Sequence, residues 1–109
     1  MPQYNLVMIC RVGESQALGS LLKTVSTSIL QEGGVVRGFT NLGDRVLPKT
    51  LKSQDGTSYG IGRYIQVEYY GSPQTRKIAE GIGRQNMEVM RLYTLKSENE
   101  IDYMKRMMK

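Results

Sequence analysis

Apolar and polar positions alternate at the start of the chain. Tyr4, Leu6, Met8 and Cys10 share one side of an extended segment over residues 4–11, and Val7 and Ile9 add apolar positions to the other. A strand with two apolar faces is expected to be central and covered on both sides. From residue 14 the period becomes helical. Ala17, Leu18, Leu21, Leu22, Val25, Ile29 and Leu30 fall on one stripe, opposite Gln16, Ser20, Lys23, Thr24 and Thr27. Gly33 and Gly34 supply the stop, because glycine takes the left-handed C-terminal conformation without strain. Residues 35–47 predict a second strand, with Gly38 and Gly43 as sites for bulges or close approach. Pro48 has no N–H to donate, so the central ladder is expected to end there. Residues 48–62 read as a polar, basic connection, in which 52–58 have little to bury and read as mobile around an Asp55-Gly56 turn.

A third strand is predicted over residues 63–70, with Ile65, Val67 and Tyr69 facing a core and Tyr64, Gln66, Glu68 and Tyr70 facing solvent or a partner. Ser72-Pro73 is a helix start. Ile78, Ala79 and Ile82 form the buried stripe of a shorter helix ending near Gly83, and residues 87–96 predict a fourth strand. The order β-α-β-β-α-β implies an α+β, ferredoxin-like domain over residues 1–96: a four-stranded antiparallel sheet with both helices on one face. Residues 97–109 read as a tail, acidic at Glu98, Glu100 and Asp102, then basic. It is either plainly disordered or ordered only on assembly, with Ile101, Met104 and Met108 on one side of a short helix.

Composition narrows the chemistry. The chain has 109 residues and no histidine, which removes the usual general base, zinc ligand and triads. Its one cysteine, Cys10, alternates with core positions and reads as a core residue. No apolar run approaches the roughly 18 residues of a membrane span. The first apolar segment has no basic region before it, unlike a signal peptide. The formal net charge of +5 points to polyanionic partners. Residues 34–63 carry five positive charges (Arg37, Arg45, Lys49, Lys52, Arg63) against Asp44 and Asp55. A hairpin would gather them at one side and end of the molecule, with Arg37 and Arg45 on one face if no bulge intervenes. Guanidinium groups suit bidentate phosphate contacts. Arg84 and Arg91 form a weaker second set.

Two modules of this topology fit poorly. An RNA-recognition motif stacks bases on aromatic residues of its middle strands. Here Tyr64 has Gln66 as its same-face neighbour, and Tyr4 falls on the core side. Acylphosphatases place an Arg-bearing phosphate loop after the first strand, where this chain has Arg11-Val12-Gly13-Glu14. Glu14 opposes an anion and reads as a helix-dipole residue. The carboxylates of the tail have nothing to raise their pKa and read as solvated.

Several segments resemble one family. They are Met1-Pro2-Gln3-Tyr4 before an apolar strand, Gly-Gly before Val35-Val36-Arg37, Arg63-Tyr64 at the start of an aromatic strand, and Leu95-Lys96-Ser97 after the last. The run Asn41-Leu42-Gly43-Asp44-Arg45-Val46-Leu47-Pro48 is similar to the Leu-Gly-x-Arg-x-Leu signature of the bacterial-type ribosomal small-subunit protein six family, and its Asn and Pro resemble the mitochondrial branch. Lys49 stands near a place where many members carry Tyr, and the connection after Pro48 is longer than in compact bacterial members.

The resemblance implies a structural, non-enzymatic constituent of the small ribosomal subunit, without metal, cofactor, small-molecule substrate or membrane. It further implies residence in the mitochondrial matrix rather than a bacterial cytoplasm. An imported chain of this sequence would need an internal signal or upstream residues already removed. The implied partners are the central domain of the small-subunit rRNA and small-subunit protein eighteen. Arg45, with Arg37, Lys49 and Arg63, would contact phosphate and sugar, and the clustering of charge adds Lys52 to these candidates. Tyr64, Gln66 and Tyr70 on the exposed sheet face would meet the protein partner. The competing expectation is a ferredoxin-like ligand-binding or small enzymatic domain, marked by a pocket of converging polar groups.

Overall fold

Six elements follow one another in the computed structural model, which describes residues 2–13 and 15–96. They are β1 Gln3–Cys10, α1 Ser15–Gln31, β2 Val35–Lys52, β3 Ser58–Tyr70, α2 Pro73–Gln85 and β4 Val89–Lys96. The expectations for Glu14 and for residues 97–109 lie outside the described residues. All strand pairs are antiparallel, in the order β2-β3-β1-β4, so β1 and β3 are central and β2 and β4 are edges. This is the ferredoxin-like arrangement.

The alternating sets meet where the sequence places them. Tyr4, Leu6, Met8 and Cys10 of β1 and Ile65, Val67 and Tyr69 of β3 pack with Leu21, Val25, Ile29 and Ala79 of the helices. Burial pushes the Cys10 thiol up to about 12, with the Glu88 carboxylate adding to the effect, so it stays protonated within the core. Leu30 is not on the buried stripe and is 60% exposed. The buried line runs Leu21, Val25, Ile29 at four-residue steps, and Leu30 is turned about 100° from it. Helix α1 ends as its glycines predict. The Gly34 N–H donates to Ile29 O at 2.9 Å and the Gly33 N–H to Leu30 O at 3.1 Å, with Gly33 at φ 81°. Ser72 caps α2, its hydroxyl accepting from the Thr75 N–H at 3.2 Å.

The largest departure is in the predicted connection 48–62, which is mostly strand. β2 pairs with β3 through Val46↔Ile61, loses register across Pro48, and resumes at Leu51↔Tyr59 and Lys52↔Ser58. Pro48 interrupts the ladder without ending it, because an irregularity on an edge strand tolerates a missing donor. Gly38 and Gly43 do mark register shifts, and Gly43 takes φ 97°. Leu47 then folds over the helix-free face onto Ile9. At Gly62 a Cβ would lie 2.6 Å from Ile9 Cγ2 and 3.2 Å from Leu47 Cδ2, so only glycine lets these layers meet. This cover buries Ile9 on the helix-free side of β1, while Val7 on the same side is only half-buried.

The segment expected to be mobile is tied down by polar contacts. Asp55 accepts from the Ser53 hydroxyl and from the Thr57 N–H at 2.9 Å. Gln54 donates to the Arg84 and Asn86 carbonyls, the latter at 3.0 Å, and Arg11 bridges Asp55 at 3.5 Å and Glu88 at 2.8 Å. A polar segment therefore docks by hydrogen bonds where it has no apolar surface to bury.

These contacts carry a pH dependence. The Ser53 hydroxyl and the Thr57 N–H hold Asp55 below the usual carboxylate range, and hydrogen bonds from Arg63 do the same for Asp44. A depressed folded pKa gives stability that is present above the unfolded pKa and lost as pH falls through the folded one. The unfolding midpoint is therefore expected to drop progressively below about pH 4. Asp55→Asn is expected to flatten that drop, as urea unfolding between pH 6 and pH 2 would read.

Candidate functional site

The face of the sheet away from the helices is built by cross-strand register. Tyr64, Gln66, Glu68 and Tyr70 of β3 stand beside Ile9, Val7, Asn5 and Gln3 of β1, and these beside Arg91, Tyr93 and Leu95 of β4. Tyr93 and Leu95 are exposed. The three expected partner residues, Tyr64, Gln66 and Tyr70, thus share this face and are half-buried. Gln66 donates to Glu68 at 3.1 Å. The Asn5 carboxamide oxygen is buried in the middle of the face and has no hydrogen-bond partner among the described residues.

Arg37 and Arg45 reach the same face, as alternation over eight residues places them, although two register shifts intervene and offset each other. Arg37 sits in the shift between Val36 and Gly38, and Leu42 in a second shift between Asn41 and Gly43. Arg37 approaches Glu68 at 4.0 Å and Gln3 Oε1 at 3.5 Å. Arg45 lies over the Tyr64 ring, 5.4 Å from its centroid, and donates to Leu42 O at 3.4 Å. Lys49 joins Tyr64, Arg91 and Tyr93 around a groove of about 360 Å³ floored by Ile9 and walled by Leu47, Pro48 and Leu51. Lys52 is carried to an adjoining cleft along β4, where it meets Arg84 and Arg91.

Arg63 is the exception. It alternates to the opposite side of β3 from Tyr64 and grips Asp44, Nε to Oδ1 at 2.8 Å and a terminal nitrogen to Oδ2 at 3.3 Å. It is therefore not gathered with Arg45, Lys49 and Lys52, and neither is Arg37, which sits at the far end of the β2–β3 ladder beside Glu68 and Gln3. The sequence neighbours of Arg63 hid its pairing, because Asp44 becomes its partner only through β2–β3 register. The converse omission is Tyr93. Arg91, Tyr93 and Leu95 alternate outward along β4, a signal present in the sequence, but their place beside the basic hairpin depends on the fold.

Carboxylates answer Arg11, Arg37, Arg63, Arg76 and Arg84 within 4.0 Å. Among the described residues, Arg45, Lys49, Lys52 and Arg91 have no such partner. No group of metal ligands assembles among the described residues, and no described helix is long and apolar enough to cross a membrane. A sheet that presents tyrosines and unanswered cations on its uncovered face belongs to the class of ferredoxin-like binding modules.

Comparison with known proteins narrows that class. The family described as ribosomal protein S6 matches residues 3–96. Small ribosomal subunit protein bS6m of Drosophila melanogaster is 30% identical over 99 residues, covering 90% of this chain and 66% of the fly protein. The protein of the same name from Bos taurus is 30% identical over 92 residues, covering 84% of this chain and 73% of its own. The chain thus spans about two thirds of the length of these relatives. Crystalline 30S ribosomal protein S6 of Thermotoga maritima superposes with a TM-score of 0.76 at 15% identity, covering 99% of this chain and 98% of that one. The C-terminal domain of MgtC from Mycobacterium tuberculosis shares the fold at a TM-score of 0.57 and 11% identity, over 88% of this chain and 87% of its own. The chain belongs to the ribosomal protein S6 family, in its mitochondrial branch. That family is structural, not enzymatic.

Proposed function

We propose that this protein is a structural constituent of the small subunit of the mitochondrial ribosome, where it binds the central domain of the rRNA and small-subunit protein eighteen. The observation that carries the reading is the family match, which extends over nearly all of the described sheet-and-helix domain. The surface chemistry supports it. Arg45, Lys49 and Lys52 offer phosphate contacts without a competing carboxylate, and Arg37 offers one with its long contact to Glu68. Phosphate contacts of this kind position RNA without reading its sequence. Arg63 supports the interface indirectly, by fixing Asp44 beside Arg45 on β2.

The protein partner takes the other end of the same face, at Gln66 and Tyr70, where Arg37 also lies, with Tyr64 at the boundary. A semi-polar sheet face with one buried, unpaired acceptor at Asn5 suits a partner that brings a donor. Sedimentation of a gentle mitochondrial lysate tests the reading. The chain is expected to travel with the small subunit and to stay there when EDTA separates the subunits. Recovery at the top of the gradient, with free small proteins, would reject it.

A further inference from the structure

The groove between the β2 arm of the hairpin and the sheet has a composition that neither phosphate contact nor a flat protein interface requires. Its floor and wall are Ile9, Leu47, Pro48 and Leu51, its rings are Tyr64 and Tyr93, and its rim is Lys49 and Arg91. No carboxylate lines it, and none lines the adjoining cleft that holds Lys52 and Arg84. Of the cations without ionic partners among the described residues, Arg45, Lys49, Lys52 and Arg91 lie in or beside this one region, whereas Lys23 and Lys77 lie on the helices. One ring is engaged, Tyr64 under Arg45 at 5.4 Å, whereas Tyr93 is 49% exposed.

We propose that the groove receives an unpaired nucleotide of RNA, its base stacked on Tyr93 and its flanking phosphates held by Lys49 and Arg91. Aromatic rings set among basic side chains are the chemistry of single-strand recognition, because every base has a face to stack while its phosphates seek cations. A base within a duplex cannot enter, so the site selects a loop, bulge or strand end. The sheet supplies from β4 the second ring that β3 lacks at Gln66. An apolar side chain of a protein would fill the floor equally well, but it would leave the surrounding cations without counter-charge, which disfavours it.

This inference rests on the ribosomal reading and adds to it the form of RNA bound. The test uses the purified chain and a single-stranded RNA hexamer carrying 2-aminopurine, compared with the same hexamer bearing an abasic site in its place. Binding is expected to quench the 2-aminopurine. Loss of the base and Tyr93→Leu are each expected to weaken binding about tenfold, and Arg91→Ala to lower the salt slope by about 0.7. Tyr93 is half exposed, so an unchanged thermal midpoint would certify the folding of Tyr93→Leu, and the abasic comparison needs no variant at all. Equal affinity for intact and abasic hexamers, or no binding of either, overturns the proposal. So does a photocrosslinker at Leu51 that captures protein rather than RNA in the assembled subunit. If the chain meanwhile still cosediments with the small subunit, the ribosomal reading stands and only the groove assignment falls.

Discussion

Gly34→Ala is expected to remove about 3 kcal/mol of folding stability, at the upper end of what overpacking costs. A Cβ at this position would lie 2.7 Å from the Tyr70 carbonyl oxygen, 2.8 Å from Ile29 Cγ2 and 3.1 Å from the Ile29 carbonyl oxygen. Two of these three neighbours are backbone atoms, which cannot turn aside as a flexible side chain would. Ile29 is itself almost fully buried, and the Gly34 N–H closes the helix onto it at 2.9 Å. Relief of the clash would therefore move the end of α1 away from the β2–β3 ladder. Gly38→Ala is the control: nothing lies within 4 Å of its Cβ position. Urea unfolding reads both, since a loss of about 3 kcal/mol moves the midpoint by about 1–3 M at the usual slopes. A midpoint for Gly34→Ala equal to that of Gly38→Ala would show that the helix end yields freely.

Arg45→Ala is expected to have the opposite profile, a small effect on stability and a large one on assembly. Its guanidinium is exposed and makes one long hydrogen bond and one cation–π contact, together worth about 1 kcal/mol or less at a surface site. It has no carboxylate partner among the described residues, so its charge is available to phosphate. Removing one phosphate contact weakens RNA binding at low salt by roughly tenfold, and lowers the slope of log K against log salt by about one. Incorporation into small subunits, followed by competition between wild-type and variant chains, is expected to favour the wild type strongly. Equal incorporation would exclude Arg45 from the interface. Arg63→Ala offers a contrast, because that side chain is occupied by Asp44. Its loss should act mainly through the hairpin rather than through a direct contact.

The order of elements, the core faces of β1, α1 and β3, and the glycine and serine signals at the helix ends were legible in the sequence. Each is a local rule: a period of 2 or 3.6, a left-handed glycine, or a hydroxyl before a proline. The run around Arg45 was legible as a family signature for the same reason, since its residues are adjacent. What alternation could not carry was the pairing beyond an irregularity. The shifts at Gly38 and Gly43 offset each other and leave Arg37 and Arg45 on one face, whereas past the shift at Pro48 an expected loop continues as two strand arms. The 52–58 segment looked loose because it lacks apolar residues, yet Gln54 and Asp55 find partners on α2 and beyond β1 that are some 30 to 44 positions away in the chain. Only tertiary structure could sort the cations, because an ion pair depends on distance in space. Register gave Asp44 to Arg63 and left Arg45 unanswered, and the hairpin's fold over Ile9 brought Lys49 to Tyr93 and Arg91. Sequence determined the scaffold and the stock of charges and rings; three-dimensional pairing decided which of the charges were answered by carboxylates.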